Sequence, residues 1–214
     1  MIFTFDLETL PCTDPEMQKE IIASMKPPGN YKNPEAIQKW IDENKDEAIA
    51  KTSFDGCFGR MFCVGYQVDE EEAQVIGGNN EVANLKEFAY VLKQVPQHQR
   101  QMMRVVGHYI VGFDLRFLFQ RYVINGVKPP ELPWNAKPWD ARVHDNMVVF
   151  AGDKGSISQD KLAKALGLKG KSSMSGAEVY PAWLEGRYQE IMDYCKDDVA
   201  QAYQIYKRLA FVDA

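Results

Sequence analysis

Asp6 and Glu8 stand two residues apart in the apolar run Ile2-Phe3-Thr4-Phe5-Asp6-Leu7-Glu8-Thr9. In an extended strand that spacing puts both carboxylates on one side, with Phe3, Phe5 and Leu7 on the other. Residues i and i+2 lie about 6.6 Å apart, so the pair can reach one or two cations together. Ionised carboxylates in a sheet-core strand need a counter-charge, and the run holds no Lys or Arg; a bound cation meets that need. An exposed edge strand with solvated acids is the plain alternative. Three more residues join the set. Asp114 falls in the first turn of a helical pattern, where the helix dipole by itself favours an acid. Tyr194 and Asp198 are four apart in the last helical stretch, hence neighbours on one face. Asp197 is the rival, but Asp193 and Met192 precede it by four and five, leaving it no aromatic or imidazole partner, so Asp198 is the better candidate. Four hard carboxylates suit Mg²⁺ or Mn²⁺, and a site of two such ions can cut phosphodiesters.

The elements that must position these groups read as three strands, a helix, a strand, then helices. Residues 60 to 68, rich in Phe, Cys, Val and Tyr, read as a second strand, and residues 73 to 76 as a third after the acidic turn at 69 to 72. Leu85, Phe88, Ala89 and Leu92 give helical spacing over 82 to 95, and a fourth strand covers 104 to 107. The helix opened by Asp114 is expected to bury Leu115, Leu118, Phe119 and Tyr122. Trp139-Asp140 opens a further short element. Ser158 caps a helix that Gly167 ends, and the last helix spans 188 to 209. This is an α/β pattern with a mixed sheet and no internal repeat.

The chain's 214 residues, 45% hydrophobic and 12% aromatic, suffice for one domain, 1 to 214, with its own core. Residues 11 to 58 differ in character. Pro11, Pro15, Pro27, Pro28 and Pro34 punctuate a charged stretch with one helical pattern from 34 to 50, which reads as a partly helical insertion laying one face on the domain. Cys12, Cys57, Cys63 and Cys195 are scattered, so neither a disulfide framework nor a structural zinc site is indicated; Cys12 and Cys195 are assigned to packing. No signal peptide or membrane span is legible, and the expectation is a cytoplasmic protein. A net charge of -5 argues against nonspecific coating of nucleic acid, not against a nucleic-acid enzyme. Residues 154 to 171 hold Lys154, Lys161, Lys164, Lys169 and Lys171 against Asp160 alone, a solvated face or a track for backbone phosphates.

Three segments together resemble a known superfamily. Phe5-Asp6-Leu7-Glu8-Thr9, then His108-Tyr109-x-x-Gly112-Phe113-Asp114-x-x-Phe117-Leu118, then Tyr194-x-x-x-Asp198 resemble, in order and spacing, the three exonuclease motifs of the DEDD (DnaQ-like) 3′–5′ exonucleases. The tyrosine points to the DEDDy branch, and within it to proteins related to the exonuclease domain of family B DNA polymerases. The similarity extends to Asp140 and to residues 162 to 167 and 175 to 179. Tyr109 departs from the pattern, since relatives often carry Asn there.

The resemblance implies a ribonuclease-H-like fold, a mixed five-stranded sheet flanked by helices, that brings the acids to one cleft. It implies two divalent cations, Mg²⁺ or Mn²⁺, held by Asp6, Glu8, Asp114 and Asp198. Asp6 would bridge them, and Tyr194 would orient the attacking water. Thr9, Leu10, His108, Phe113 and Tyr194 are the expected substrate contacts, with His108 a hydrogen-bonded histidine rather than a ligand, because hard Mg²⁺ prefers oxygen. The expected activity is removal of nucleoside 5′-monophosphates from the 3′ end of nucleic acid, single-stranded DNA first. A 3′–5′ exoribonuclease, a catalytically silent nucleic-acid-binding module and a phosphoesterase acting on nucleotides or oligonucleotides are the rival readings. A polymerase or another replication or repair protein is the expected protein partner.

Overall fold

A computed structural model describes residues 1–168, 170 and 174–212; Lys169 and Lys171 of the lysine run lie outside the described residues. In chain order the elements are β1 (Ile2–Leu10), α1 (Pro15–Ser24), α2 (Pro34–Lys51), β2 (Arg60–Val68), β3 (Gln74–Gly77), α3 (Glu81–Gln94), α4 (Gln97–Gln101), β4 (Arg104–Gly107), α5 (Asp114–Ile124), β5 (Val143–Asp145), α6 (Asn146–Ala151), α7 (Gln159–Ala165), α8 (Val179–Leu184) and α9 (Tyr188–Leu209), with 3₁₀ turns at Thr52–Phe54 and Gly176–Glu178. The strands form one sheet in the order β3-β2-β1-β4-β5. β1, β2 and β3 are mutually antiparallel, whereas β4 and β5 run parallel to β1. The sheet is thus mixed and five-stranded, as expected.

The pleat of β1 sorts its side chains as the sequence implies. Phe3, Phe5 and Leu7 enter the larger core with Leu85, Phe88 and Leu92 of α3 and Leu115, Phe117, Leu118 and Tyr122 of α5. Leu10 belongs to a second cluster on the opposite face, with Ile191, Tyr194 and Cys195 of α9 and Val179 and Ala182 of α8. Asp6 and Glu8 share that α9 face with Leu10 by alternation. A bulge interrupts the β1–β2 ladder at this point: Glu8 opposes Cys63 and Thr9 opposes Met61, so Phe62 is the extra residue. Bulges bend the strand and re-aim side chains, here beside the acid pair.

Three expectations need correction. The buried stripe of α5 runs through Phe117, not Phe119, which sits 38% exposed against Trp134; packing on both α3 and β2 rotates the helix to bury residues 114, 117, 118 and 121. The element near Trp139-Asp140 is a loop, and the fifth strand begins at Val143, because the Asp140 carboxylate is held locally by Arg142 at 2.6 Å. Finally, residues 11 to 58 contain two helices rather than one, and neither buries a residue fully. α1 and α2 pack chiefly on each other, and Tyr31 meets Trp40 with ring centroids 6.4 Å apart. Their link to the domain is local: Cys12 N–H donates to Thr52 Oγ1 at 2.7 Å, and Thr9 Oγ1 donates to the Ser53 carbonyl at 2.7 Å.

Candidate active site

β1 supplies the first two acids. Asp6 is half-buried opposite Gly65, and Glu8 is buried opposite Cys63. α9 crosses that face closely. A Cβ on Gly65 would lie 2.7 Å from Val199 Cγ2 and 3.0 Å from the Cys195 carbonyl oxygen, so the helix can approach only over a glycine. Two buried bonds anchor it there: Gln159 Nε2 donates to the Asp198 carbonyl at 2.9 Å, and Asn146 Nδ2 to the Ala202 carbonyl at 2.8 Å. The buried stripe of α9 includes Ile191, Tyr194, Cys195, Asp198 and Ala202, while Asp197 points to solvent.

The acids and the tyrosine converge. Tyr194 bonds to the Asp198 carboxylate, and its hydroxyl is pushed well above the ordinary range by burial first, then by the charges of Asp198 and Glu8 and, last, Asp6. Ligand atoms of Asp6, Glu8 and Cys195 lie within 4.8 Å of one another. No motif points to that third neighbour, because only the fold brings residue 195 to residue 6. Its thiol donates to the Asp6 carbonyl at 3.7 Å and is itself raised well above the usual thiol range by a bond to Cys63, by burial and by the two acids. A thiol so held keeps its proton and is a poor ligand for a hard cation, so packing remains its role.

Asp114 meets β1 from its other edge, at the residue between the two acids in sequence. β4 pairs with β1 only through Thr4, and beyond that point the Leu7 N–H donates to Asp114 Oδ1 at 3.2 Å. Burial, with a smaller contribution from the charge of Asp145, pushes the Asp114 carboxyl up to about 8, against the pull of its own and the Leu7 N–H. A cation nearby would reverse that shift.

Asp145 is the residue that reading the sequence missed. It is buried at the end of β5, caps α6 through the N–H groups of Met147 and Val148, and accepts from Tyr109 N–H at 2.9 Å and Val111 N–H at 3.1 Å. It thereby holds the turn that delivers Asp114. An acid directly before Asn146-Met147-Val148 is an N-cap signature, the available signal. The same turn explains the departure at Tyr109. Its φ is +63°, a left-handed conformation in which Asn is favoured and Tyr uncommon.

The expected substrate contacts divide. Leu10 is fully buried and has no face open to a base, so it is withdrawn from that set; the close fit of α8 and α9 over β1 covers it. Thr9 uses its hydroxyl on Ser53, and His108 Nε2 bonds the Ile157 carbonyl at 2.8 Å. Phe113 is half-buried immediately before Asp114. A cleft of about 380 Å³ runs from Tyr194 past Ser158 and Ser175 to Lys164, whose ammonium is 2.7 Å from Asp160. Lys154 and Lys161 are exposed.

This geometry belongs to a ribonuclease-H-like α/β protein. Among solved structures the chain is similar to the family B DNA polymerase from the hyperthermophilic archaeon Pyrobaculum calidifontis, with a TM-score of 0.61 and 15% sequence identity. The similarity covers 98% of this chain and 24% of the polymerase chain, so the likeness is one of fold over about a quarter of that protein. Comparison with curated proteins finds no match. Residues 63–214 match the family described as predicted 3′–5′ exonuclease related to the exonuclease domain of PolB, and the chain belongs to that family. The matched span includes Asp114, Tyr194 and Asp198; Asp6 and Glu8 precede it and enter the site through geometry. Among the described residues no helix is long and apolar enough to cross a membrane.

Proposed function

We propose that this protein is a metal-dependent 3′–5′ exonuclease that releases nucleoside 5′-monophosphates from single-stranded DNA. The observation that carries the reading is the convergence of Asp6 and Glu8 on the Tyr194–Asp198 face of α9. Asp6, Glu8, Asp114 and Asp198 offer hard oxygen donors, which fit Mg²⁺ or Mn²⁺. In this reading Asp6, Glu8, Asp114 and Asp198 would together hold the two cations. Two such cations supply a strong nucleophile from water at neutral pH and offset charge on the leaving 3′ oxygen.

The protein's own groups do the positioning. Tyr194 keeps its proton, because burial and three carboxylates all oppose its ionisation. It therefore orients a water rather than deprotonating it. The Gln159 and Asn146 bonds hold α9 so that the hydroxyl and Asp198 stay in register with β1. Lys164 and the serines of the adjoining cleft offer donors to backbone phosphates, which position a strand without reading its sequence. Residues 11 to 58 act as an inserted segment within a single domain, and a polymerase or another replication or repair protein is the class of partner that such an activity would serve. Degradation of matched single-stranded DNA, duplex DNA and RNA with Mg²⁺ tests the substrate. Fastest loss of single-stranded DNA from its 3′ end is expected; preference for RNA would move the reading to an exoribonuclease, and no degradation of any would refute it.

A further inference from the structure

The Thr52–Phe54 turn touches the chain neighbours of two of the proposed metal ligands. Ser53 accepts from Thr9, the residue after Glu8, and the Phe54 ring meets Phe113, the residue before Asp114, edge-on with centroids 6.2 Å apart. Consecutive Cα atoms are about 3.8 Å apart, so the turn touches residues one chain step from Glu8 and from Asp114. Yet the Phe54 side of that contact is open: Phe54 is 73% exposed.

An isolated exposed phenylalanine needs no explanation. This one is neither isolated nor loosely held. Thr52 Oγ1 donates to the Ile49 carbonyl at 2.6 Å while accepting from Cys12 N–H, and Asp55 N–H closes the turn on the Thr52 carbonyl at 2.9 Å. Two residues further, the Gly56 carbonyl accepts from buried Arg121 Nη1 at 2.9 Å. Phe113 continues the ring contact inward to Phe117, with centroids 5.3 Å apart. The result is an aromatic step, anchored in the core and presenting one open ring against Phe113, the chain neighbour of Asp114. Leu10 cannot serve there, being fully buried.

We propose that Phe54 is a stacking platform for an unpaired base at the 3′ end of the substrate, supplied by the segment between β1 and β2 and acting together with Phe113. This rests on the exonuclease reading for its substrate class. Stacking on an aromatic face is tolerant of base identity, so the platform selects an unpaired end over a paired one without selecting sequence. The segment containing α1 and α2 thus contributes to which ends the site accepts.

The test compares wild-type protein with Phe54→Ala, Phe54→Leu and Phe54→Trp. Melting temperatures should stay close to wild type, since the ring is largely exposed. With Mg²⁺ and single-stranded DNA, the alanine and leucine variants should raise KM by about 5- to 100-fold with little change in kcat, and tryptophan should restore it. Leucine keeps apolar bulk without an aromatic face, so a merely structural role predicts rescue by leucine. In Ca²⁺, an oligonucleotide ending in 3′ 2-aminopurine should lose fluorescence on wild-type and tryptophan proteins and keep it on alanine and leucine. Unchanged KM and equal quenching in Phe54→Ala, or rescue by leucine, overturns the platform alone. Wild-type protein that quenches the base but releases no mononucleotide overturns the exonuclease reading and leaves the platform standing; neither quenching nor release overturns both.

Discussion

Gly65→Ala tests whether the close crossing of α9 over β1 creates the site. An added Cβ would sit 2.7 Å from Val199 Cγ2 and 3.0 Å from the Cys195 carbonyl oxygen. Carbon atoms pack comfortably at about 3.5–4.0 Å, so the nearest contact is short by about 0.8 Å or more. The valine methyl has some freedom, but the carbonyl oxygen is backbone and yields only if the helix moves. Overpacking of this kind costs about 1–3 kcal/mol. For a domain of this size each kcal/mol lowers the melting temperature by about 2–4 °C, which gives a fall of roughly 2–12 °C. A helix displaced by a good fraction of an ångström carries Tyr194 and Asp198 away from Asp6 and Glu8. Misplacement of reacting groups by about 1 Å can cost roughly 100-fold, so kcat should fall by about 10- to 100-fold, with a smaller change in KM. Scanning fluorimetry and steady-state digestion of a 5′-labelled oligonucleotide read both effects. Adding Val199→Ala should recover part of the stability, because it removes the shortest of these contacts. Wild-type melting and turnover in Gly65→Ala would refute the claim that helix approach limits the site.

Other variants and conditions probe separate links. Tyr194→Phe should lower kcat by at least about 10-fold with KM nearly constant, because the hydroxyl is asked only to orient water; a change confined to KM would count against that role. Arg121→Met should destabilise by about 3–5 kcal/mol in chemical denaturation, since it leaves the buried Glu81 carboxylate, which accepts from Met61 N–H and Asn125 Nδ2, without its 2.8 Å guanidinium partner. A loss below about 1 kcal/mol would contradict that account. His144 titrates at about 4, lowered by burial and by the charge of Arg104. The unfolded chain therefore binds more protons between about pH 6.5 and 4, so stability should fall as pH drops through that window, and His144→Phe should flatten the fall. Equal pH dependence in the two proteins would show that the histidine is not responsible.

Much of the sheet was legible because its signals are local. Alternation in β1 and the apolar run of β2 each carry a whole element, and the helical stripe of α9 placed Tyr194 and Asp198 on one face. α1 escaped notice because its ten residues give too few turns for a helical period to stand out, although Asp14 followed by Pro15 is a helix-start signal. Phe117 and Phe119 are equally apolar, and only packing against α3 and β2 decides which turns inward. The acids could be named from their motifs, yet Cys195 beside Asp6, the burial of Leu10 and the clamp made by Asp145 arise from contacts between distant segments. No pattern within either segment encodes those contacts.

The central claim is that Asp6, Glu8, Asp114 and Asp198 form a cation-dependent centre for 3′-end hydrolysis. Its most direct measurement is the release of nucleoside 5′-monophosphates from 5′-labelled single-stranded DNA, with Mg²⁺ and with chelator, by wild-type, Asp6→Ala and Asp198→Ala proteins of matched circular dichroism. Wild-type protein should shorten the strand from its 3′ end only with the cation, and either folded variant should be inert. Wild-type-level digestion by Asp6→Ala or Asp198→Ala, or undiminished digestion in chelator, would contradict it.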